Sequence, residues 1–546
     1  MNRFFLDRVS SGLKKQSIKK VSEWAENYRI MGPPFPGPCK FDHHPWTREM
    51  CDCLAETIVG KKAAQMGFTE VALNKVFAYI DMEAGSVLYV LPAKTPDATD
   101  FSTSRFDPAL EASVHLKSLF TDVKNIGHKR AGHSNLYIRG SRSRSQLKSI
   151  PAGLLVFDEV QEMVQANIQL AFERSSGQLK KQKLLISTPS IAGIGIDEYF
   201  KDSTQDHFNF KCPACGKFIE LIFPECMVIT ADDPNDVKIK GSHLICSECK
   251  KKLVHEDKII WEKDGVWVPT YADRMTRGFH INQMYSMTMP PYEIAQLYLE
   301  SLSNPVKEQE FHNSKMGNDH EVKGARVLEE HIINAMKRGG HANGTTSTGL
   351  ITMGVDVGKW LHYEIASWEL RPTKDLGDIS SYVIPTVLEM GKVLSFNELD
   401  EIWKKHGVSF AVVDADPEGR KTFEWAQKHA GRVKRCRYTR GITGKHMRTD
   451  KEEHLIQADR TSWLDVSLGR FKNGTIALPF DTPLEYKSHV RALVRIYKED
   501  TDGNTISKYV KKDNDHDHHA HARNYCEMAV IFAASFSRSQ DIGGIM

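Results

Sequence analysis

The chain has 546 residues, 26% of them charged and 40% hydrophobic, an ordinary balance for a globular protein of three or four domains that excludes a disordered or fibrous chain. Lys plus Arg exceed Asp plus Glu by 73 − 70 = 3, so net charge by itself points to no polyanionic partner. No apolar run approaches the roughly 18–20 residues of a membrane span. The basic N terminus also lacks an apolar h-region and a cleavage site, and no membrane partner and a cytoplasmic location are expected.

In chain order, residues 1–20 carry Arg3, Arg8, Lys14, Lys15, Lys19 and Lys20 against Asp7 alone, and Phe4, Phe5, Val9 and Leu13 are spaced for one helical face. The Pro-rich stretch 31–41 reads as an extended arm, closing an N-terminal segment over 1–44. From 45 to 207, short apolar runs (87-VLYVLP-92, 136-LYI-138, 153-GLLVFDE-159, 184-LLIST-188) alternate with helical patterns. That predicts a parallel sheet with helices on both faces. Residues 123–153 hold seven Lys or Arg and no acid, compatible with a phosphate-backbone partner or a solvated face.

Residues 208–270 change character, with two Cys pairs and short strands. Helical periodicity returns over 271–337, and the Gly-, Ser- and Thr-rich stretch 338–349 reads as a linker. Over 350–546, strands are expected at 350–358, 362–370, 379–385 and 409–416, with helical stretches near 397–406, 418–429 and 454–471 and a closing helix near 517–536. Three consecutive strands and then alternating elements is the order of a ribonuclease-H-like nuclease core.

The run 153-GLLVFDEV-160 ends a buried apolar strand in Asp158 and Glu159. In a P-loop ATPase the first such carboxylate holds Mg²⁺ and the second polarises the attacking water. A standard G-x-x-x-x-G-K-S/T loop is absent upstream. In 59-VGKKAAQMGFTEVALN-74, Gly67 and Thr69 occupy the places of the last loop glycine and the Mg²⁺ hydroxyl, and Phe68 that of the lysine. Lys61 and Lys62 lie at the start of the loop, where a long amine could reach the β/γ-phosphates while backbone N–H groups cradle them. Cys212, Cys215, Cys246 and Cys249 form two CxxC knuckles. Their spacing reads as a Cys₄ zinc ribbon, closed and therefore structural. The other six cysteines read as free thiols.

Together these stretches resemble the large terminase subunits of tailed bacteriophages, of the lambda-like GpA type. The resemblance rests on 44-HPWTREM-50, 62-KAAQMGFTE-70, 92-PAKTPDATDFSTSRFDP-108, 153-GLLVFDEV-160, 186-ISTPS-190, 311-FHNSKMG-317 and 354-GVDVG-358, in this order. It implies an α/β protein, with a P-loop (RecA/ASCE-like) ATPase domain carrying a zinc-ribbon insertion, linked to a ribonuclease-H-like nuclease domain. Carried over, Lys62 is a displaced Walker lysine, Thr69 the Mg²⁺ hydroxyl, Asp158 the Walker B acid and Glu159 the catalytic carboxylate. Ser187, Thr188 and Pro189 resemble the coupling motif that senses the γ-phosphate, and Gln65 and Trp46 are expected to enclose the nucleotide. Arg105 and Arg142 are the two arginine-finger candidates.

In the second half, Asp356 and Asp414 end two strands, positions where carboxylates of this fold hold two divalent metals about 4 Å apart. Asp416 either assists or caps a turn. The family's third ligand sits on the closing helix in a pattern like D-H-x-x-D-A, and here 513-DNDHDHHAHARNYCEMA-529 puts either His521 or Asn524 in its place, with Asp513, Asp515 and Asp517 nearby. The His-rich tract also fits a bare metal-scavenging surface.

The function implied is that of a viral DNA-packaging motor, which hydrolyses ATP with Mg²⁺ to translocate double-stranded DNA into procapsids. A nuclease using Mg²⁺ or Mn²⁺ cuts the concatemer. Implied partners are double-stranded DNA, a small terminase subunit and the portal protein, with a homo-oligomeric ring as working form in the host cytoplasm. The alternative is a single-motor helicase-type translocase with an appended nuclease, which would need a second ATPase half that the sequence does not offer.

Overall fold

A computed structural model describes residues 18–121, 123–339, 350–370, 383–429, 431–439, 441–442, 444–499, 505–512 and 515–543. They divide into two compact units, Met1–Val322 and Lys323–Met546. Most of the basic N-terminal segment, most of the 338–349 linker, the start of the strand expected at 379–385, and Asp513 lie outside the described residues.

The first unit is built on parallel strands β1 (Thr57–Lys62), β2 (Val87–Leu91), β3 (Ser134–Gly140), β4 (Leu154–Asp158), β5 (Gln182–Ser187), β6 (Asp206–Lys211) and β7 (Arg277–Ile281). Their order in the sheet is β6-β7-β1-β5-β4-β2-β3. Every residue of β2 and β4 is buried, as expected where helices cover both faces of a parallel sheet. Alternate side chains feed two cores: Ile58, Tyr89, Val156 and Ile186 on one face, and Val59, Leu88, Phe157 and Leu185 on the other. Strand β5 lies between β1 and β4, so residues at the ends of all three strands share one edge.

The segment 271–337, read from sequence as helical, opens with β7, which pairs in parallel with β1. Its only sequence signal is the short run 277-RGFHI-281, too brief to separate strand from helix by period. Between β6 and β7 the chain leaves the sheet. It forms a strand at Phe218–Ile219 antiparallel to β6, then a three-stranded sheet of Met227–Val228, His243–Ile245 and Lys252–Leu253, and returns as Val266–Pro269 along β6. The cysteine-bearing segment is thus an insertion at one end of the ATPase-type sheet.

In the second unit, β8 (Leu350–Val357), β9 (Leu361–Leu370), β10 (Val383–Val393), β11 (Phe410–Asp414), β12 (Val433–Tyr438), β13 (Met447–Asp450) and β14 (Leu455–Ala458) form one sheet in the order β10-β9-β8-β11-β12-β14-β13. The first three strands are antiparallel, and β11 and β12 follow in parallel, the ribonuclease-H-like arrangement. Residues 454–471, expected as one helix, split into β14 and a helix at Arg460–Lys472. The boundary is set by Asp459, whose carboxylate caps that helix by accepting from the Ser462 N–H.

The closing helix, α5 in chain order after α1 (Phe68–Glu83), α2 (Phe396–His406), α3 (Gly419–Lys428) and α4 (Arg460–Lys472), spans His518–Gly543. It lies against β8 at Gly354, where a Cβ would come within 2.0 Å of the Ala522 carbonyl oxygen. A buried ionic chain fixes it sideways. Arg523 on α5 contacts Glu364 of β9 at 2.5 Å and also Glu527. Arg470 of α4 meets Glu527 at 2.5 Å, and Tyr486 donates to Glu364 at 2.6 Å. Each buried charge has an opposite partner, the condition under which such a cluster is tolerated.

Gly354→Ala is therefore expected to destabilise the second unit by about 1–3 kcal/mol or more, the scale of overpacking a tight contact. Gly358→Ala is the control, since its Cβ would meet nothing closer than 3.7 Å. Thermal melts of the full chain check this: a depressed midpoint is expected for Gly354→Ala alone.

Candidate functional site

The loop after β1 turns into α1 through Gln65 (φ 60°) and Gly67 (φ 80°), two left-handed positions that curl the backbone around a hollow. Glu70 and Val71 both donate to the Gly67 carbonyl, and the N–H groups of the preceding turn have no intrahelical acceptor, as at any helix start. Phe68 turns inward against Gly60, where a Cβ would meet its ring at 2.5 Å. The site's usual lysine position is thus part of the core.

The two neighbouring lysines part company. Lys61 is tied to Asp197 at 2.7 Å and Asp319 at 2.5 Å, whereas Lys62 points to Glu159, its Nζ 3.6 Å from Oε1. Thr69 donates to Asp158 Oδ2 at 3.2 Å, and Tyr89, not singled out from the sequence, donates to the same oxygen at 2.7 Å. Asp158 Oδ1 is buried with no hydrogen-bond partner among the described residues. Burial pushes this carboxyl up to about 6; the Glu159 charge adds to the rise and Lys62 opposes it. An orphaned, desolvated carboxylate oxygen beside a threonine hydroxyl fits a divalent cation bound to a phosphate.

Glu159 has left-handed backbone angles, φ 64° and ψ 51°, a strained state for a non-glycine residue. Its carboxylate is within 3.4 Å of the Ser187 hydroxyl, which also accepts from the Gln161 N–H at 3.2 Å. At the end of β5 it is Ser187 that touches Glu159; Thr188 is half-buried on the turn that follows. Arg105 and Arg142 both line a cleft of about 440 Å³ with Glu159, Leu91, Pro92 and Phe101, and Arg105 is 3.8 Å from Glu70.

Trp46, expected beside the nucleotide, is instead fully buried and donates to the Met66 carbonyl at 2.9 Å, holding the loop from behind. Gln65 is exposed at the loop crest. The brace is completed by distant residues. Ala63 N–H donates to Ile281 and Ala64 N–H to Ser314, Gln283 donates to the Ala64 carbonyl, and Gly317 lies so close that a Cβ would meet Ala63 N at 2.7 Å. The stretch 311-FHNSKMG-317 is thus a support for the loop.

Cys212, Cys215, Cys246 and Cys249 offer sulfurs all within 4.8 Å of one another, with 3.9 Å for Cys212 to Cys249 and for Cys215 to Cys246. A tetrahedron with metal–sulfur bonds of about 2.3 Å has edges of about 3.8 Å. Left-handed Gly216 and Lys250 close the two knuckles, and the N–H groups of Glu248 and Cys249 point at the Cys246 sulfur.

In the second unit, β8 and β11 are parallel neighbours with Val355 opposite Val413, so Asp356 and Asp414 end adjacent strands side by side. Burial pushes Asp414 up to about 6, the Asp356 charge adding to the rise and the Asp416 N–H and His521 opposing it. Asp416 is turned outward in an ion pair with Arg437. Of the two alternatives read in the sequence for the third position, Asn524 is occupied in packing and His521 stays among the charges acting on Asp414. Asn524 is fully buried; its Oδ1 accepts from Ser467 at 2.8 Å and its Nδ2 donates to Tyr438 at 2.9 Å. Both ends of the amide are spent in packing α5 against the sheet. His521 lies 3.3 Å from Asp517 and 3.2 Å from the Tyr438 hydroxyl. His518, a residue the sequence reading did not single out, brings Nδ1 to 2.9 Å from Asp356 Oδ2, and Asp356, His362 and His518 bring ligand atoms within 4.8 Å of one another.

Two family models match the chain: the ATPase domain of the phage terminase large subunit gpA over residues 34–267, and the endonuclease domain of the same subunit over 276–376. A comparison with curated proteins gave no match. Among solved structures, the large terminase of bacteriophage HK97 is 10% identical, with 93% of this chain and 99% of that chain covered and a TM-score of 0.47. The ATPase domain of the Thermus phage P74-26 large terminase is 10% identical over 49% of this chain and 90% of that one, TM-score 0.31. The large terminase nuclease of the thermophilic phage G20c is 11% identical over 33% and 82%, TM-score 0.22.

The unlike surroundings of the two lysines set an expectation. Lys61→Ala removes the cation shared by Asp197 and Asp319 and should lower fold stability by at most about 3 kcal/mol, the lower end for breaking a buried pair, because Asp319 is partly exposed and Asp197 keeps Lys201. Lys62→Ala should melt near the parent and lose affinity for an ATP analogue. Parallel melts and fluorescent-nucleotide titrations distinguish them.

Proposed function

This chain belongs to the GpA-type large terminase subunits, and on that footing we propose how its residues divide the work. The protein is a DNA-packaging motor that hydrolyses ATP to translocate double-stranded DNA into procapsids, and it cuts concatemeric DNA with a metal-dependent nuclease. Nucleotide and divalent metal are used by these two domains.

The observation that carries the motor reading is the meeting of Lys62, Thr69, Asp158 and Glu159 at one sheet edge. Lys62 contacts the β/γ-phosphates, and the N–H groups over 65–69, with Gly67 at the turn and Gln65 at the rim, cradle them. Thr69 and Asp158 would hold Mg²⁺, which when bound offsets phosphate charge. Glu159 orients the attacking water, with Lys62 as its ion-pair partner. Ser187, at the end of the strand between the loop strand and β4, and Thr188 on the turn after it register loss of the γ-phosphate and relay it through Glu159. Arg105 or Arg142 supplies the positive charge that the transferring phosphoryl group requires.

In the nuclease, Asp356 and Asp414 would hold divalent ions, Mg²⁺ or Mn²⁺, with His518 and His521 as the nitrogen donors nearest each acid. Such ions, when bound, activate water and stabilise the leaving oxygen of a phosphodiester. Few acids serve the pair, so imidazole nitrogen would favour Mn²⁺. The four cysteines hold a structural Zn²⁺ that closes the ribbon. The partners in this reading are a small terminase subunit and a portal ring, the working form is a homo-oligomeric ring, and the site of action is the host cytoplasm. Among the described residues, no helix is long and apolar enough to cross a membrane.

Glu159→Ala should keep ATP binding and lose turnover by about 10²–10⁴, the scale of a water-positioning or acid–base group; undiminished steady-state ATPase would remove Glu159 from the role. Asp356→Ala and Asp414→Ala should abolish DNA cleavage and leave ATPase near the parent rate. His518→Ala should shift the Mn²⁺ dependence of cleavage to higher concentration, while Asn524→Ala should leave it in place and lower the melting temperature, because it opens a buried hydrogen-bonded network worth about 1–3 kcal/mol. Metal titrations of cleavage, read beside melts, decide between these residues.

A further inference from the structure

Three histidines outside the carboxylate pair meet inside the second unit. His362 lies on β9, directly opposite Asp356 in the strand register. His489 lies on the helix Leu484–Arg491, and His519 in the first turn of α5. All three are buried, at 5%, 5% and 2% exposure. Each offers a ring nitrogen within 4.8 Å of the other two. Ring centroids are 5.0 Å apart for His362 and His519, 5.2 Å for His489 and His519, and 5.8 Å for His362 and His489.

Simple packing does not account for the cluster. The Nδ1 atoms of His362 and His519 are buried with no hydrogen-bond partner among the described residues, which costs free energy that an apolar side chain in the same place would not. Three separate elements deliver imidazoles to one point, whereas a core needing only volume would use aliphatic side chains. The His519 N–H donates to His489 Nδ1 at 3.5 Å, which aims the His489 ring. Glu485 lies 3.9 Å from His362 Nε2 while held by Lys392 at 2.7 Å. A carboxylate behind a ligating imidazole is the usual outer partner of a metal-bound histidine.

We propose that His362, His489 and His519 form a metal site, adjoining the Asp356 and Asp414 pair through His362 but using neither acid as a ligand, that takes a borderline-soft transition ion of the Zn²⁺ class. Three imidazoles and no carboxylate among the ligands reject Mg²⁺ and Ca²⁺, which require oxygen donors, and suit Zn²⁺, Co²⁺ or Ni²⁺. Three protein ligands leave a fourth position for water. An ion here joins β9, the helix Leu484–Arg491 and the start of α5. His518 is the residue before His519, and its ring stacks on His362 at 4.6 Å. The ion therefore holds in place the imidazole that contacts Asp356, which makes His519 and His489 positioning residues for the nuclease centre.

The test uses the full chain, produced in zinc-supplemented medium and dialysed against millimolar Mg²⁺ so that oxygen-ligand sites are occupied. Metal analysis should give about two Zn²⁺ per chain, one for the Cys₄ knuckles and one for the histidines. His489→Gln and His519→Gln should each give about one, and His516→Gln, an exposed neighbour, about two. Zinc-edge X-ray absorption of the parent protein should show nitrogen at about 2.0–2.1 Å beside sulfur at about 2.3 Å, which keeps the test decisive even where a variant fails to fold. About one Zn²⁺ per parent chain with sulfur scattering only, or unchanged counts in folded His489→Gln and His519→Gln, overturns the site.

Discussion

Both units are organised around the same electrostatic constraint: a buried carboxyl at a sheet edge with a second acid beside it, where burial and the neighbour's charge disfavour its ionised form. In the first unit these are Asp158 and Glu159, at the end of β4; in the second, Asp356 and Asp414, at the ends of adjacent strands. Asp158 and Asp414 are each pushed up to about 6, with burial as the leading cause in both. A carboxylate so placed gains most from a cation that arrives with a ligand. Lys62 faces Glu159 in the first unit, and the His518 imidazole of α5 contacts Asp356 in the second.

The loop of the first unit shows how one substitution in a motif propagates. With Phe68 where a lysine commonly stands, the first turn of α1 buries an aromatic ring against Gly60. The two lysines at the start of the loop then sit on its other side, at the end of β1. Of two adjacent lysines on a strand, one points to each face. Lys61 falls on the face of Asp197 and Asp319, and Lys62 on the face of Glu159. The strand's alternation, not the reach of the side chain, separates their roles.

The second unit depends on how α5 is seated. Gly354 lets the helix backbone touch β8, and the chain of Glu364, Arg523, Glu527 and Arg470 locks its rotation. With rotation locked, Asn524 faces Ser467 and Tyr438 inside the packing, and His518 faces Asp356. A ligand choice made on sequence spacing within the helix could not know this angle.

Much was legible in the residues alone. Fully buried apolar runs alternating with helical patterns specified the parallel sheet of the first unit, because only a strand covered on both faces needs side chains apolar in both directions. Two CxxC knuckles specified a four-sulfur cluster, because the ligand spacing is local. Acids closing apolar runs marked Asp158, Asp356 and Asp414 for the same reason: the signal lies within one element. What only the tertiary structure decided was every relation between elements. It made 277–281 a strand beside β1 and 455–458 a strand beside β12, split Lys61 from Lys62, set Trp46 behind the loop, and placed Ser314 and Gly317 under it. It also gathered His362, His489 and His519 from three elements. Local pattern records which face a residue prefers, but the partner on that face is set by packing between segments hundreds of residues apart, and no single stretch of sequence carries that information.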